Sequence, residues 1–97
     1  MPELVTCHIV EATYVEGVAE KRTPYRQEHL DRMQKLYDEG VVLVAGALAD
    51  LSASVLVLAV ESERAARRIA ETDVYWRNGI WTSLQIRQLN RVAFEKG

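Results

Sequence analysis

The stretch Val41-Val42-Leu43-Val44-Ala45-Gly46-Ala47-Leu48, followed after Ala49 to Ala53 by Ser54-Val55-Leu56-Val57-Leu58-Ala59-Val60, decides the fold. Both runs are almost continuously apolar and of strand length, far short of the roughly 20 residues that span a bilayer. They read as two buried core strands. The connection between them is short and carries Asp50 and Ser52, which favour turns. A parallel crossover needs about a dozen residues or more, so the two strands form an antiparallel hairpin.

On the N-terminal side of the hairpin, Leu30, Met33, Leu36 and Tyr37 recur at three- and four-residue spacing, the apolar stripe of a helix. Thr23-Pro24 reads as its N-cap and a first-position proline, and Gly40 as the left-handed residue that ends it. The helix is expected over residues 24–39. Glu16 to Arg22 reads as a polar loop, and Leu4 to Tyr14, rich in β-branched and aromatic residues, as the first strand. On the C-terminal side, Ser62 caps a second helix with apolar positions Ala65, Ala66, Ile69 and Ala70, ending near Thr72. Asp73 to Asn78 adds a short helical turn closed by Gly79. Trp81 to Val92 is the last strand, with Leu84 and Ile86 on one face and Gln85, Arg87 and Arg91 on the other.

The resulting order, βαββαβ, is the ferredoxin-like motif of the α+β class. Right-handed crossovers place both helices on one face of a four-stranded antiparallel sheet. The opposite face is left uncovered, and a second copy of the chain is its simplest cover, so a homodimer or higher oligomer is expected.

The 97 residues are the length of a single domain, 1–97. With 48% apolar residues the chain is not of the disordered class. Its 12 basic and 14 acidic residues give a net charge of −2, with no long run of either sign, which argues against nucleic acid and membrane partners. One cysteine, Cys7, forms no internal disulfide, and the N-terminus lacks a basic segment followed by an apolar one. A cytoplasmic location is expected.

Candidate chemistry gathers in Arg26-Gln27-Glu28-His29-Leu30. His29 borders the apolar stripe of the first helix, and a histidine half inside a cleft suits general acid or base work. Arg26, one turn earlier on nearly the same face, is placed to hold a carboxylate or enolate oxygen. The competing reading is a solvated, charge-laced helix edge. Asp73 reads either as the N-cap of the short turn or as the group that fixes a histidine tautomer. Tyr75, Trp76 and Trp81 wall a pocket or pack a core. His8, on the first strand, points into an inter-subunit cleft or is packed and hydrogen-bonded, and Cys7 reads as a small buried filler. No His, Cys or carboxylate cluster has metal-site spacing, and no glycine-rich loop fits a nucleotide phosphate, so no cofactor and no metal are expected.

Arg26-Gln27-Glu28-His29-Leu30, then Leu36-Tyr37-Asp38-Glu39-Gly40 leading to Ala45-Gly46-Ala47, then Thr72-Asp73-Val74-Tyr75 ahead of a last strand, resembles the YCII-related family over nearly the whole chain. The family often has proline after the glycine and after the aspartate, where this chain has Ala47 and Val74. The resemblance implies ferredoxin-like subunits joined as a dimeric α/β barrel. It further implies a site pairing His29 with Asp73, with Arg26 at a basic position just ahead. The family is similar to a dehydrochlorinase of chlorinated hydroxyquinols and shares its barrel with muconolactone isomerases. The implied function is a small cofactor-independent isomerase or lyase acting on a small carbonyl or aromatic-derived acid. His29 and Asp73 would be catalytic, and Arg26, His8 and Tyr75 would contact the substrate. The alternative is a non-catalytic module that binds a small ligand in the dimer cleft.

Overall fold

A computed structural model describes residues 3–95. Strand β1 (Glu3–Tyr14) is followed by a four-residue helix α1 (Val18–Lys21), a 3₁₀ turn over Thr23–Tyr25 and the longer helix α2 (Arg26–Asp38). Strands β2 (Val42–Ala47) and β3 (Ala53–Leu58) form the hairpin, and helices α3 (Glu63–Glu71) and α4 (Val74–Arg77) lead to β4 (Trp81–Ala93). The four strands make one antiparallel sheet in the order β2-β3-β1-β4, the ferredoxin-like arrangement expected from the element order, with the helices on one face.

Alternation along the strands decides which residues the helices cover. Val10, Ala12 and Tyr14 of β1 and Leu56 and Leu58 of β3 join Met33 of α2 and Ala66 and Ala70 of α3 in one buried core. On the other face the register aligns Val44, Val57, Ile9 and Arg87 in a row across all four strands. That face is largely aliphatic along β2 and β3 and polar along β4, and Val44 on it is exposed. Beyond the end of β3, Glu3 to Cys7 continue to pair with Leu89 to Ala93 as a two-stranded ribbon, so the molecule is elongated, 46 × 24 × 22 Å.

Local signals in the sequence act as expected at three helix ends. The Ser62 hydroxyl accepts the Ala65 amide at 3.1 Å. Gly40, at φ 79°, closes α2: its amide donates to the Tyr37 carbonyl, and the Val41 amide reaches back to Leu36. Gly79, at φ 70°, closes α4 in the same way, with Ile80 bonded to the Tyr75 carbonyl.

Four expectations are corrected. Glu16 to Arg22 is not all loop, because Val18 is buried and draws its neighbours into α1. Thr23 does not cap the long helix: its hydroxyl donates to the Ala19 carbonyl, and Pro24 sits in the 3₁₀ turn ahead of Arg26. β2 is not a buried strand but the sheet edge, and only Val42 is buried. Within the α2 stripe, Met33 is buried and Leu36 half-buried, while Leu30 and Tyr37 are 42% and 60% exposed. The place left for them in the core reading is taken by His29, which is 7% exposed.

Candidate active site

Helix α2 carries His29 and Arg32 on the side that meets the junction of α3 and α4. At that junction Asp73 has an extended backbone, φ −72° and ψ 145°, as the N-cap of α4. Its Oδ1 accepts the Tyr75 amide at 2.9 Å and the Nδ1–H of His29, also at 2.9 Å. Its Oδ2 accepts from Arg32 Nη1 at 3.0 Å, and the other guanidinium nitrogen of Arg32 donates to Thr72 Oγ1 at 2.8 Å. Asp73 is thus both readings at once, the helix cap and the partner of the histidine.

The carboxylate is fully buried. Burial pushes its pKa up, but the hydrogen bond and charge of His29, the Tyr75 amide and Arg32 outweigh that cost and hold Asp73 below the usual carboxylate range. An ionised carboxylate can only accept, so Nδ1 of His29 carries the proton in that bond and Nε2 is the nitrogen left for chemistry. The ring is fixed by more than this bond. Tyr75 stacks on it with centroids 4.0 Å apart, and Trp81 meets it edge-on at 5.4 Å. The solvated-edge reading of His29 is therefore replaced by a buried, oriented imidazole.

A pocket of about 580 Å³ opens between α2 and the edge strand β2, on the helix side of the sheet. Its floor includes His29, Tyr75, Tyr14 and Ser54; Arg22 and Arg26 line it from the N-terminal side, and Leu30 and Tyr37 help form its mouth. The exposed part of the α2 stripe is the rim of this pocket. Met33 and the chain from Val42 to Ala47 supply an apolar wall. The Tyr14 hydroxyl is bonded to Ser54 Oγ at 2.8 Å and accepts from Arg22 Nη1 at 3.4 Å. Burial, together with Tyr14 and Asp73, raises the pKa of Tyr75 against the opposing pull of Arg22 and Arg26, so its phenol remains a proton donor at neutral pH.

Of the residues singled out from sequence, His29, Arg26 and Tyr75 line the pocket, with Asp73 directly behind His29. His8 lies elsewhere: it is buried, its Nδ1 bonded to the Val60 carbonyl at 3.0 Å, and it is absent from the pocket lining. Trp81 supports His29 from behind, Trp76 packs against the core, and Cys7 is buried and unpaired by any disulfide. Sequence reading missed Arg32, Arg22, Tyr14 and Ser54. Arg32 carried a signal, since it follows His29 by three residues on one helical face. Tyr14 and Ser54 meet only through the pairing of β1 with β3. Among the described residues, no group of His, Cys, Asp and Glu is placed to hold a metal ion, and no helix is long and apolar enough to cross a membrane.

Comparison with known proteins places these features in a wider setting. The family model of the YCII-related domain matches residues 4–90. Protein YciI of Escherichia coli O6:H1 is 31% identical over 83 residues, spanning 75% of this chain and 85% of that protein, and Protein YciI of Shigella flexneri matches to the same extent. Among solved structures, 5-chloro-2-hydroxyhydroquinone dehydrochlorinase from Burkholderia phenoliruptrix AC1100, in complex with 2,5-dihydroxybenzoquinone, has a TM-score of 0.71. It is 17% identical and covers 84% of this chain and 90% of its own, a likeness of fold.

Proposed function

The chain belongs to the YCII-related domain family, and on that premise we propose that it is a proton-transfer enzyme, an isomerase or dehydrochlorinase-like lyase acting on a small carbonyl or aromatic-derived acid. The observation that carries this reading is the 2.9 Å bond from Nδ1 of His29 to a fully buried aspartate, with the same imidazole lining a pocket. In such a site Nε2 takes a proton from carbon or hydroxyl of the substrate. The imidazolium so formed stays paired with Asp73, which stabilises the charge without itself accepting the proton. Arg26 offers its guanidinium and Tyr75 its phenol to the oxygen on which negative charge develops. Return of the proton at another atom completes an isomerisation. Departure of a leaving group such as chloride completes an elimination.

The structural relative supports the substrate class: it was solved with a small, multiply oxygenated ring, and a pocket of about 580 Å³ has room for one such ring. The reading extends to a homodimer in which the uncovered sheet faces meet.

The test is turnover of a panel of chlorinated hydroxyquinols, lactones and small acids by the wild type and by His29→Asn, which keeps a donor toward Asp73 and lacks Nε2. A loss on the order of 10²-fold or more in kcat for the variant supports the reading. Panel members that stabilise the protein against heat but are never consumed would make it a ligand-binding module instead.

A further inference from the structure

We propose that Arg22 and the Ser54-held hydroxyl of Tyr14 form a carboxylate-binding subsite in the pocket, on the other side of Tyr75 from the His29–Asp73 pair. The inference deepens the proposed function by saying which end of the substrate is anchored and by what, and it stands on different residues from those that move the proton.

Three observations carry it. First, the charge of the lining is one-sided. Arg22 and Arg26 are its guanidinium groups, and no aspartate or glutamate lines the pocket. Among the described residues neither arginine is engaged in an ion pair, whereas Arg32, Arg67 and Arg77 each have a carboxylate partner. An unpaired arginine at the wall of a pocket is a standing anion receptor, because its planar fork matches two carboxylate oxygens.

Second, Tyr14 is 8% exposed and is held from two sides. Ser54 Oγ lies 2.8 Å from its hydroxyl, and the Arg22 guanidinium sits 5.8 Å above its ring and within 3.4 Å of the hydroxyl oxygen. With Ser54 and Arg22 both donating to the Tyr14 oxygen, the tyrosine's own proton has no acceptor among the described residues. It is free to donate to a ligand oxygen. A neutral ligand would leave the Arg22 guanidinium uncompensated and this donor poorly used; a carboxylate satisfies both.

Third, the subsite is linked to His29 without overlapping it. The ring of Tyr75 stacks on His29 at 4.0 Å and meets Tyr14 edge-on at 6.5 Å, so the two polar ends of the pocket are separated by one aromatic residue. The opposite wall, from Val42 to Ala47, is apolar. The ligand that fits is a small monocarboxylate with a flat or apolar body, its acid group at Arg22 and Tyr14 and its reactive atoms toward His29.

The experiment compares benzoate with benzamide, two probes of like shape that differ in charge, by calorimetric or NMR titration at low ionic strength. Benzoate is expected to bind the wild type at least tenfold more tightly than benzamide. Arg22→Gln and Tyr14→Phe should each weaken benzoate tenfold or nearly so while leaving benzamide unchanged, and thermal melts of both variants verify that they are folded. His29→Asn should retain benzoate, because the subsite does not use Nε2. Equal affinity for the two probes, no detectable benzoate binding at millimolar concentration, or a folded Arg22→Gln that binds benzoate like the wild type would overturn the subsite. Turnover lost in His29→Asn with those failures would leave the proton-transfer reading standing. Benzoate retained in every variant except Arg22→Gln and Tyr14→Phe, with no turnover of any substrate, would leave the subsite standing alone.

Discussion

The imidazole of His29 lies on the phenol ring of Tyr75, with centroids 4.0 Å apart and planes 9° from parallel, while the Tyr75 amide and the His29 Nδ1–H share one oxygen of Asp73. The short helix α4 and its N-cap therefore supply, respectively, the stacking surface and the hydrogen-bond acceptor, the acceptor lying 44 residues after the histidine it holds. Fixing ring plane and tautomer together leaves Nε2, on an imidazole that lines the pocket, as the nitrogen not committed to Asp73, the arrangement a proton-transfer residue needs.

His29 is consequently structural as well as the proposed proton-transfer group, and its replacements should separate the two roles. His29→Ala removes a buried aromatic ring and one of the bonds to Asp73, and should cost about 2–4 kcal/mol. For a domain of this size that is a fall of roughly 10 °C or more in Tm. His29→Asn keeps a donor toward Asp73 and should recover part of that loss, yet remain inactive. Thermal melts of the two variants beside turnover check this; a fully stable His29→Ala would mean the ring contributes little to the core.

Asp73 should contribute to the acid limit of stability. Its folded pKa is depressed below the unfolded value, so its contribution is fully present above the unfolded value of about 4 and is lost as pH falls through the lower folded value. Wild-type Tm should be flat from neutrality to about pH 4 in this respect and fall below it. Asp73→Asn should lower stability at pH 7 by on the order of 3 kcal/mol, since it leaves buried donors without their charged acceptor. It should also flatten the acid limb. Melting curves between pH 2 and 7 for both proteins decide the matter, and parallel acid limbs would assign the effect to other carboxylates.

How much of this was legible beforehand depended on the range of the signal. Gly40, Gly79, Ser62 and the short Asp50–Ser52 connection act through backbone within a few residues, so the element order and the fold could be read from them. Motif resemblance located His29 and Asp73. The unbroken apolar run of β2 gave no sign that it forms the sheet edge, because an edge strand bordering a pocket and a strand buried on both faces share a composition. Nor could periodicity tell Leu30 and Tyr37, which rim a cavity, from Met33, which fills the core. Tyr14, Ser54 and Arg22 come together only when β1 pairs with β3 and α1 turns the chain back over them.

The uncovered sheet face predicts the oligomeric state. Val44, Val57 and Ile9 stand in one row across three strands, and a stable dimer needs about 1,200 Å² or more of total buried surface. Light scattering at micromolar concentration should give twice the 11.0 kDa chain mass. Val57→Asp should reduce it to one chain mass by placing a charge at the middle of the row. A wild-type mass of one chain would remove the dimer.

Arg32 should behave as a positioning residue. It never reaches the pocket lining; it grips Asp73 Oδ2 at 3.0 Å and Thr72 Oγ1 at 2.8 Å, and so holds the carboxylate in the plane that His29 requires. It is also one of the groups that keep Asp73 ionised. Removing it in Arg32→Gln should lower kcat by about tenfold, less than the loss of His29, with little change in KM, because no substrate contact disappears. Two further readouts distinguish positioning from a general loss of fold. The acid limb of the stability curve should move to higher pH, because without Arg32 the Asp73 carboxylate takes up its proton at a higher pH, and Arg32→Lys, which restores the charge but not the two-pronged grip, should return the acid limb toward wild type while recovering only part of kcat. If Arg32→Gln raised KM and left kcat unchanged, Arg32 would have to touch substrate directly. If Lys restored neither measurement, the residue would be acting through packing alone.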